Sequence, residues 1–182
     1  MMSYFSRLFF VAIFSAILFM PGYAKAEELK IAVVDVEKVL NDSKAGQSIQ
    51  KQLAVKREAF QKEFSGRENN LMNAEKTLME KKKDTSAEEF SKQRKDFEKQ
   101  LLETRNLFQK RRAALDKGLG DALSELRKNI IQVTADVADE GKYQVVLTRD
   151  SVVIIQKEMD ITDQVLQRLN KKLPNIKLDV EQ

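Results

Sequence analysis

The chain has 182 residues, 33% of them charged, and it contains no His and no Cys. These absences exclude a Cys/His zinc site, a disulfide, a thiolate nucleophile and a Ser-His-Asp triad. No P-loop spacing occurs, and Gly118 and Gly120 lack the third glycine, at Leu123, that a dinucleotide-binding loop requires. Composition therefore argues against an enzyme and predicts no metal site and no cofactor. Binding and assembly remain as the open functions.

The first 26 residues have the order of a secretory signal peptide. Arg7 precedes an apolar run over residues 8–20, and Ala24-Lys25-Ala26 supplies an AxA cleavage site. An uncleaved anchor is the alternative, but this run is shorter than the roughly 20 residues of a membrane-spanning helix. Cleavage after Ala26 predicts an exported protein. It also removes two positive charges, so that the formal net charge of +4 falls to +2.

Two long helices are predicted in the middle of the chain. Asn41-Asp42-Ser43 offers side-chain oxygens that can cap a helix N-terminus, and the first helix runs from there to about residue 83. Its apolar positions from Ile49 to Leu78 are spaced by 4 and 7 residues, which is typical of one heptad-like face. Ser86 and Glu89 then fit a capping box, so a second helix begins after a tight turn.

The remaining predicted elements are short. The second helix should end at Gly141, because glycine adopts the left-handed conformation of a helix C-cap at low cost. Thr162 can cap a last helix over residues 163–173. The last two of the three predicted strands should form a hairpin around Arg149-Asp150-Ser151. The strands cover residues 30–36, 143–148 and 152–156.

These elements predict an α+β fold that is mostly helical, with a small body built from strands and a long projecting arm. The arm is the helical hairpin of residues 44–114, with its tip near residues 81–86. The body combines residues 27–43 with residues 115–182. Three short strands leave open sheet edges, and the body has few apolar residues for a core. Strand pairing between subunits would address both problems, which predicts a homo-oligomer whose arms surround a space.

The sparse apolar face of the arm is the candidate binding surface. Scattered Phe and Leu among mobile charged side chains can hold a non-native apolar chain through many weak contacts. The alternative is that the same side chains only pack the two arm helices together. The candidate residues are Phe60, Phe64, Leu71, Leu78, Phe90, Phe97, Leu101 and Phe108.

Basic residues near the arm tip form a second candidate surface. Their ammonium groups can contact anionic lipid headgroups or acidic loops of a bound protein. The alternative is a solvated face combined with compensation of the helix dipole at its C-terminal end. The candidate residues are Lys81, Lys82, Lys83, Lys92 and Lys95.

Two glycines lie inside the second predicted helix, where the arm should leave the body. Gly118 and Gly120 each cost up to roughly 1 kcal/mol relative to alanine at a helical position. One interpretation is a hinge that lets the arm change its angle. The other is close packing of a neighbouring segment against the helix.

Four features point together to a known family. They are the signal peptide, the strand at residues 30–36, the charged helical hairpin, and the ending from Tyr143-Gln144-Val145-Val146-Leu147 to Asp160-Ile161-Thr162-Asp163-Gln164-Val165-Leu166. In these features the chain resembles the Skp/OmpH family of periplasmic chaperones for outer-membrane proteins.

The resemblance implies a periplasmic homotrimer in which three arms enclose unfolded outer-membrane β-barrel proteins without ATP. Some members of the family are strongly basic and are linked with lipopolysaccharide or nucleic acid. The charge of +2 left after Ala26 departs from that pattern and argues against nucleic-acid binding. The competing function is a structural or tethering coiled-coil protein of the envelope without chaperone activity.

Overall fold

The computed structural model describes residues 29–180, so the predicted signal peptide and its cleavage site lie outside the described residues. Two very long helices and a small parallel sheet dominate this part of the chain, which confirms the α+β prediction. The elements in order are β1 (Ile31–Val34), α1 (Val36–Asp42), α2 (Lys44–Lys81), α3 (Ala87–Gly141), β2 (Val145–Thr148) and α4 (Thr162–Lys172). Two 3-10 turns, at Arg149–Ser151 and Lys157–Met159, lie between β2 and α4.

The sheet joins the two ends of the chain. Strands β1 and β2 run parallel, with Ile31 opposite Val145 and Val34 opposite Thr148. The other edge of β1 is covered by a single parallel bridge from Val33 to Asp160. Within residues 29–180, the other edge of β2 carries no strand. The sheet therefore has one open edge, on β2.

The first predicted strand is too long, because its end belongs to α1. Asp35 caps this helix, and its side chain accepts a hydrogen bond of 2.7 Å from the Lys38 backbone N–H. Val36 is consequently helical. Ser43 then ends α1 and caps α2 by accepting a hydrogen bond of 3.1 Å from the Gly46 N–H. This confirms one of the three predicted N-cap candidates.

The helical hairpin forms as predicted, with slightly different ends. Helix α2 stops at Lys81, and Ser86 caps α3 by accepting a hydrogen bond of 3.3 Å from the Glu89 N–H. Helix α3 ends at Gly141, but the left-handed residue is Lys142, with φ of 54°. The prediction of a C-cap at Gly141 is therefore wrong by one residue.

The predicted hairpin of residues 143–148 and 152–156 is not present in the described chain. Only Val145–Thr148 forms a strand, and it pairs with β1. The β-branched run after it is irregular, and Val153 and Ile154 are 92% and 85% exposed. A β-branched run predicts strand propensity, but a strand also needs a partner edge, and none within residues 29–180 reaches this segment.

The core joins the predicted body to the first turns of α2: the C-terminal half of α3 packs against β1, α1, α4 and the start of α2. Ala45 and Ile49 belong to this core, although the predicted boundary at residue 44 assigned them to the arm. The largest fully buried members of the core include Ile49, Leu126, Ile130, Ile161 and Leu169. Burial of each such side chain stabilises the fold by roughly 1.5 to 3 kcal/mol. The predicted last helix is observed, shifted by one residue, as α4. The predicted cap at Thr162 is wrong, because Thr162 is the first residue of the helix and its hydroxyl accepts a hydrogen bond of 2.9 Å from the Asp35 N–H.

Candidate functional site

The arm is a pair of antiparallel helices that extends well beyond the packed body. Helix α2 has 38 residues and α3 has 55, which correspond to lengths of about 57 and 80 Å. Ion pairs at i,i+4 spacing lie on the solvent-exposed faces of both helices. They include Lys76 with Glu80 at 4.0 Å, Arg94 with Glu98 at 3.4 Å, and Lys99 with Glu103 at 3.9 Å.

Three of the predicted binding residues form an aromatic cluster between the two arm helices. The ring of Phe108 lies 5.2 Å from that of Phe60 and 4.5 Å from that of Phe64. All three side chains are half-buried. Ring pairs at such distances contribute about 0.5 to 1.5 kcal/mol beyond their burial. These phenylalanines therefore pack α2 against α3.

The other predicted apolar residues also lie partly or fully out of solvent. Leu78 is buried, and it lines a groove of about 340 Å³ together with Phe97. Leu71, Phe90 and Leu101 are half-buried. Contact of all eight predicted residues with a bound chain stays a prediction, and their burial limits the apolar surface that they can offer.

Sequence reasoning missed the apolar side chains that are most accessible on the arm. Val55, Met72, Met79 and Leu102 are each about 60% exposed. Met72 and Met79 are seven residues apart and therefore share a face of α2. The signal was present in the sequence, because these methionines directly follow Leu71 and Leu78, but the heptad pattern assigned only the leucines to a face.

The five predicted basic residues of the tip are all exposed. No carboxylate in residues 29–180 lies within 4.0 Å of the Nζ atoms of Lys81, Lys82, Lys83, Lys92 or Lys95, and this distinguishes them from Lys76 and Lys99 on the same arm. Their ammonium groups are therefore available to an external anion. Contact with anionic surfaces stays a prediction.

The two glycines of α3 differ sharply in their surroundings. A Cβ at Gly118 would lie 2.2 Å from the backbone oxygen of Asp179, whereas a Cβ at Gly120 would meet no atom within 4 Å. Gly118 thus permits close packing of the C-terminal segment against α3. The predicted hinge stays untested at both positions.

Charged pairs tie α4 to the rest of the body. Arg168 donates two hydrogen bonds to the carboxylate of Glu140, and this contact holds the pKa of Glu140 below its ordinary value of 4.5 and raises the pKa of Arg168. Lys38 donates to Asp163 at 3.1 Å, which raises the pKa of Lys38. The arm carries no such tertiary network beyond the Arg111–Glu63 pair at 3.8 Å in the described residues.

The comparisons with known proteins agree with this architecture. The family model described as "Outer membrane protein (OmpH-like)" matches residues 30–169. The chain belongs to the OmpH-like family. Membership supports a chaperone role. In residues 29–180, no helix combines the length and apolar character that crossing a membrane requires.

Individual relatives extend this result. A Skp-like protein from Pseudomonas aeruginosa is 30% identical over 176 residues, covering 89% of this chain and 95% of the relative. An uncharacterized protein from Aquifex aeolicus is 27% identical over 148 residues, covering 79% and 87%. A solved structure from Caulobacter crescentus, assigned to the OmpH-like outer membrane chaperones, superposes with a TM-score of 0.79 at 21% identity, covering 91% and 98%.

Proposed function

We propose that the protein is an ATP-independent holdase that binds unfolded outer-membrane β-barrel proteins between its arms and prevents their aggregation. Membership of the OmpH-like family supports a chaperone role, and the name of the Caulobacter relative supports outer-membrane clients. The proposed location is the periplasm, reached after cleavage behind Ala26. Mass measurement of the protein isolated from the periplasm tests this, with Glu27 as the expected first residue.

The observation that carries the proposal is the pattern of exposed apolar groups on the arm. Val55, Met72, Met79 and Leu102 stand singly among charged side chains on helices that project from the body. Methionine is unbranched and polarizable, so it adapts to clients of different shape. Contacts of this kind are weak individually and interchangeable, which suits a chain without fixed structure.

Assembly into a homotrimer is part of the proposal. The unpaired edge of β2 and the exposed side chains of Val153 and Ile154 are on the body, and an open edge next to exposed β-branched residues favours pairing with another chain. The number three rests on the family resemblance. Light scattering of residues 27–182 tests it, and a stable monomer would contradict a cavity between arms.

The tip lysines are proposed to contact anionic lipid surfaces. Each lysine near such a surface contributes about 1 kcal/mol. The protein is expected to co-sediment with vesicles that contain phosphatidylglycerol. Vesicles of phosphatidylcholine alone serve as the control. Charge reversal at Lys81, Lys82 and Lys83 should abolish the difference. Equal sedimentation of the charge-reversed and original proteins would contradict the contact.

The decisive experiment is dilution of a urea-unfolded outer-membrane β-barrel into buffer with and without residues 27–182, in the absence of nucleotide. Suppression of light scattering at near-stoichiometric amounts is the expected result. No suppression at any excess would remove the holdase proposal and leave the arm as a structural coiled coil.

A further inference from the structure

The segment after α4 lies across both long helices where the arm leaves the body. We call residues 173–180 the strap. Its Ile176 and Leu178 are almost fully buried in the core, and Val180 packs against the same cluster. Apolar side chains thus alternate with exposed ones, as in an extended strand. The match to the OmpH-like family model ends at residue 169, before the strap begins.

One side chain of α2 holds the strap by its backbone. The side-chain amide of Gln52 donates a hydrogen bond of 2.7 Å to the carbonyl of Ile176, and its oxygen accepts one of 2.9 Å from the N–H of Leu178. Both bonds are partly shielded from solvent. A donor and an acceptor on one amide fix the register of the strap, in the way that a neighbouring strand would.

On α3, the strap rests directly on the helix backbone. The carbonyl oxygen of Asp179 would lie 2.2 Å from a Cβ at position 118, so a side chain there would push the strap away. Gly118 is buried, and Gly120, one half-turn further, has open space around it. The requirement for glycine is therefore specific to the strap contact.

The strap reaches from the body core to the root of the arm. Towards the tip, Val180 borders a cavity of about 200 Å³ together with Phe60 and Leu115. Phe60 also belongs to the aromatic cluster of the arm, so this cluster adjoins the cavity. The separation of α2 and α3 at the arm root is thus bridged by the strap on one side and by that cluster on the other.

We propose that the strap is a lock that restrains the two arm helices at their root. It is held by the Gln52 amide and three apolar side chains, and we expect it to detach while the buried face of α3 from Leu126 to Val137 stays packed. Detachment frees the root of α2 from the root of α3 and lets the arm splay. This proposal concerns arm geometry alone and does not depend on client binding.

Hydrogen exchange measured by mass spectrometry on the full protein tests the lock with two pairs of variants. Gly118→Ala and Gln52→Ala each release the strap. Gly120→Ala and Gln50→Ala are the matched controls, because position 120 has open space and Gln50 is exposed on the same helix. Gln52→Ala adds no atoms and removes no core side chain, so it keeps the test available if Gly118→Ala fails to fold.

For both releasing variants, the lock predicts that the exchange rate rises by about fivefold or more at the Leu178 amide and at helix amides in residues 53–60 and 111–118. This factor is expected from the loss of a pair of partly buried hydrogen bonds. Residues 126–137 and both controls should be unchanged. Faster exchange at Leu178 without any change at the arm root would overturn the proposal. An equal increase in the exchange rate of residues 126–137 would also overturn the proposal, because the strap would then be an ordinary part of the core. An unchanged exchange rate at the Leu178 amide would overturn it as well.

Discussion

The ring of Phe64 on α2 lies 4.5 Å from the ring of Phe108 on α3, at a tilt of 43°. This contact joins the outgoing and returning helices of the arm well away from the body core. With Phe60 it forms an aromatic cluster between the two arm helices. The arm is therefore held together by a few specific contacts.

Phe108→Ala is expected to loosen the arm without unfolding the body. A half-buried phenylalanine replaced by alanine costs about 2 kcal/mol, less than the 3 to 5 kcal/mol of a fully buried one. Faster hydrogen exchange in residues 100–112 measures the effect. Leu102→Ala on the same helix is the control, since its side chain is mostly exposed and should cost under about 0.5 kcal/mol. Equal effects of the two changes would contradict this role.

The double variant Met72→Ser, Met79→Ser is expected to weaken suppression of aggregation while leaving the thermal unfolding temperature unchanged. Both side chains are mostly exposed, so they contribute little to folding and remain available to a client. About threefold more of the variant should be needed to suppress half of the aggregation. The reason is that each substitution removes the partial burial of a methionine side chain against the client, and full burial would contribute about 1.5 to 3 kcal/mol. Asn69→Ser, Asn70→Ser is the matched control. Unaltered suppression by the methionine variant would place client binding elsewhere.

Glu140 and Arg168 predict a pH-dependent contribution to stability. Because the folded-state pKa of Glu140 lies below its ordinary value of 4.5, the stabilisation is present above pH 4.5 and is lost as the pH falls through the folded-state pKa. Glu140→Gln should lower the urea midpoint at pH 7, and the difference should shrink as the pH is lowered below 4.5. Asp139→Asn is the control at a neighbouring exposed position. A difference that persisted at low pH would rule out the ion pair as its source.

The end of α3 predicts opposite effects of two adjacent substitutions. A Cβ at Gly141 would lie 2.2 Å from the ring of Tyr143, so Gly141→Ala should destabilise the protein by about 1 kcal/mol or more. Lys142 has φ of 54°, so Lys142→Gly should stabilise it by up to about 1 kcal/mol. Thermal unfolding of the two variants measures both shifts. Shifts of the same sign would refute the assignment of the left-handed position.

Local signals predicted the two long helices and the last helix well. The spacing of apolar residues marked α2 and α3, and Ser43 and Ser86 marked their starts, because capping depends only on residues three positions away. The short helix α1 was not predicted, since the apolar run of the strand continues through Asp35 into Val36 and hides the cap at Asp35.

Tertiary context decided the features that sequence reasoning missed. Residues 152–156 have strand propensity without a partner in the described chain, so the hairpin was wrong. The strap was not predicted at all, although Ile176, Leu178 and Val180 alternate with polar residues. It contacts Gln52 and Gly118, which are far from it in sequence, and no local sequence pattern predicts such contacts.

The pairing of Ile31 with Val145 also determines the order in which the molecule can fold. The contacts of the arm tip connect residues that are near neighbours in sequence, and such contacts form quickly. The sheet, by contrast, joins two segments separated by the whole of α2 and α3, and the bridge to Asp160 and the burial of α4 lie later still. We therefore expect the hairpin to form while the chain is still incomplete, and the body to close last, once nearly all of the polypeptide is present.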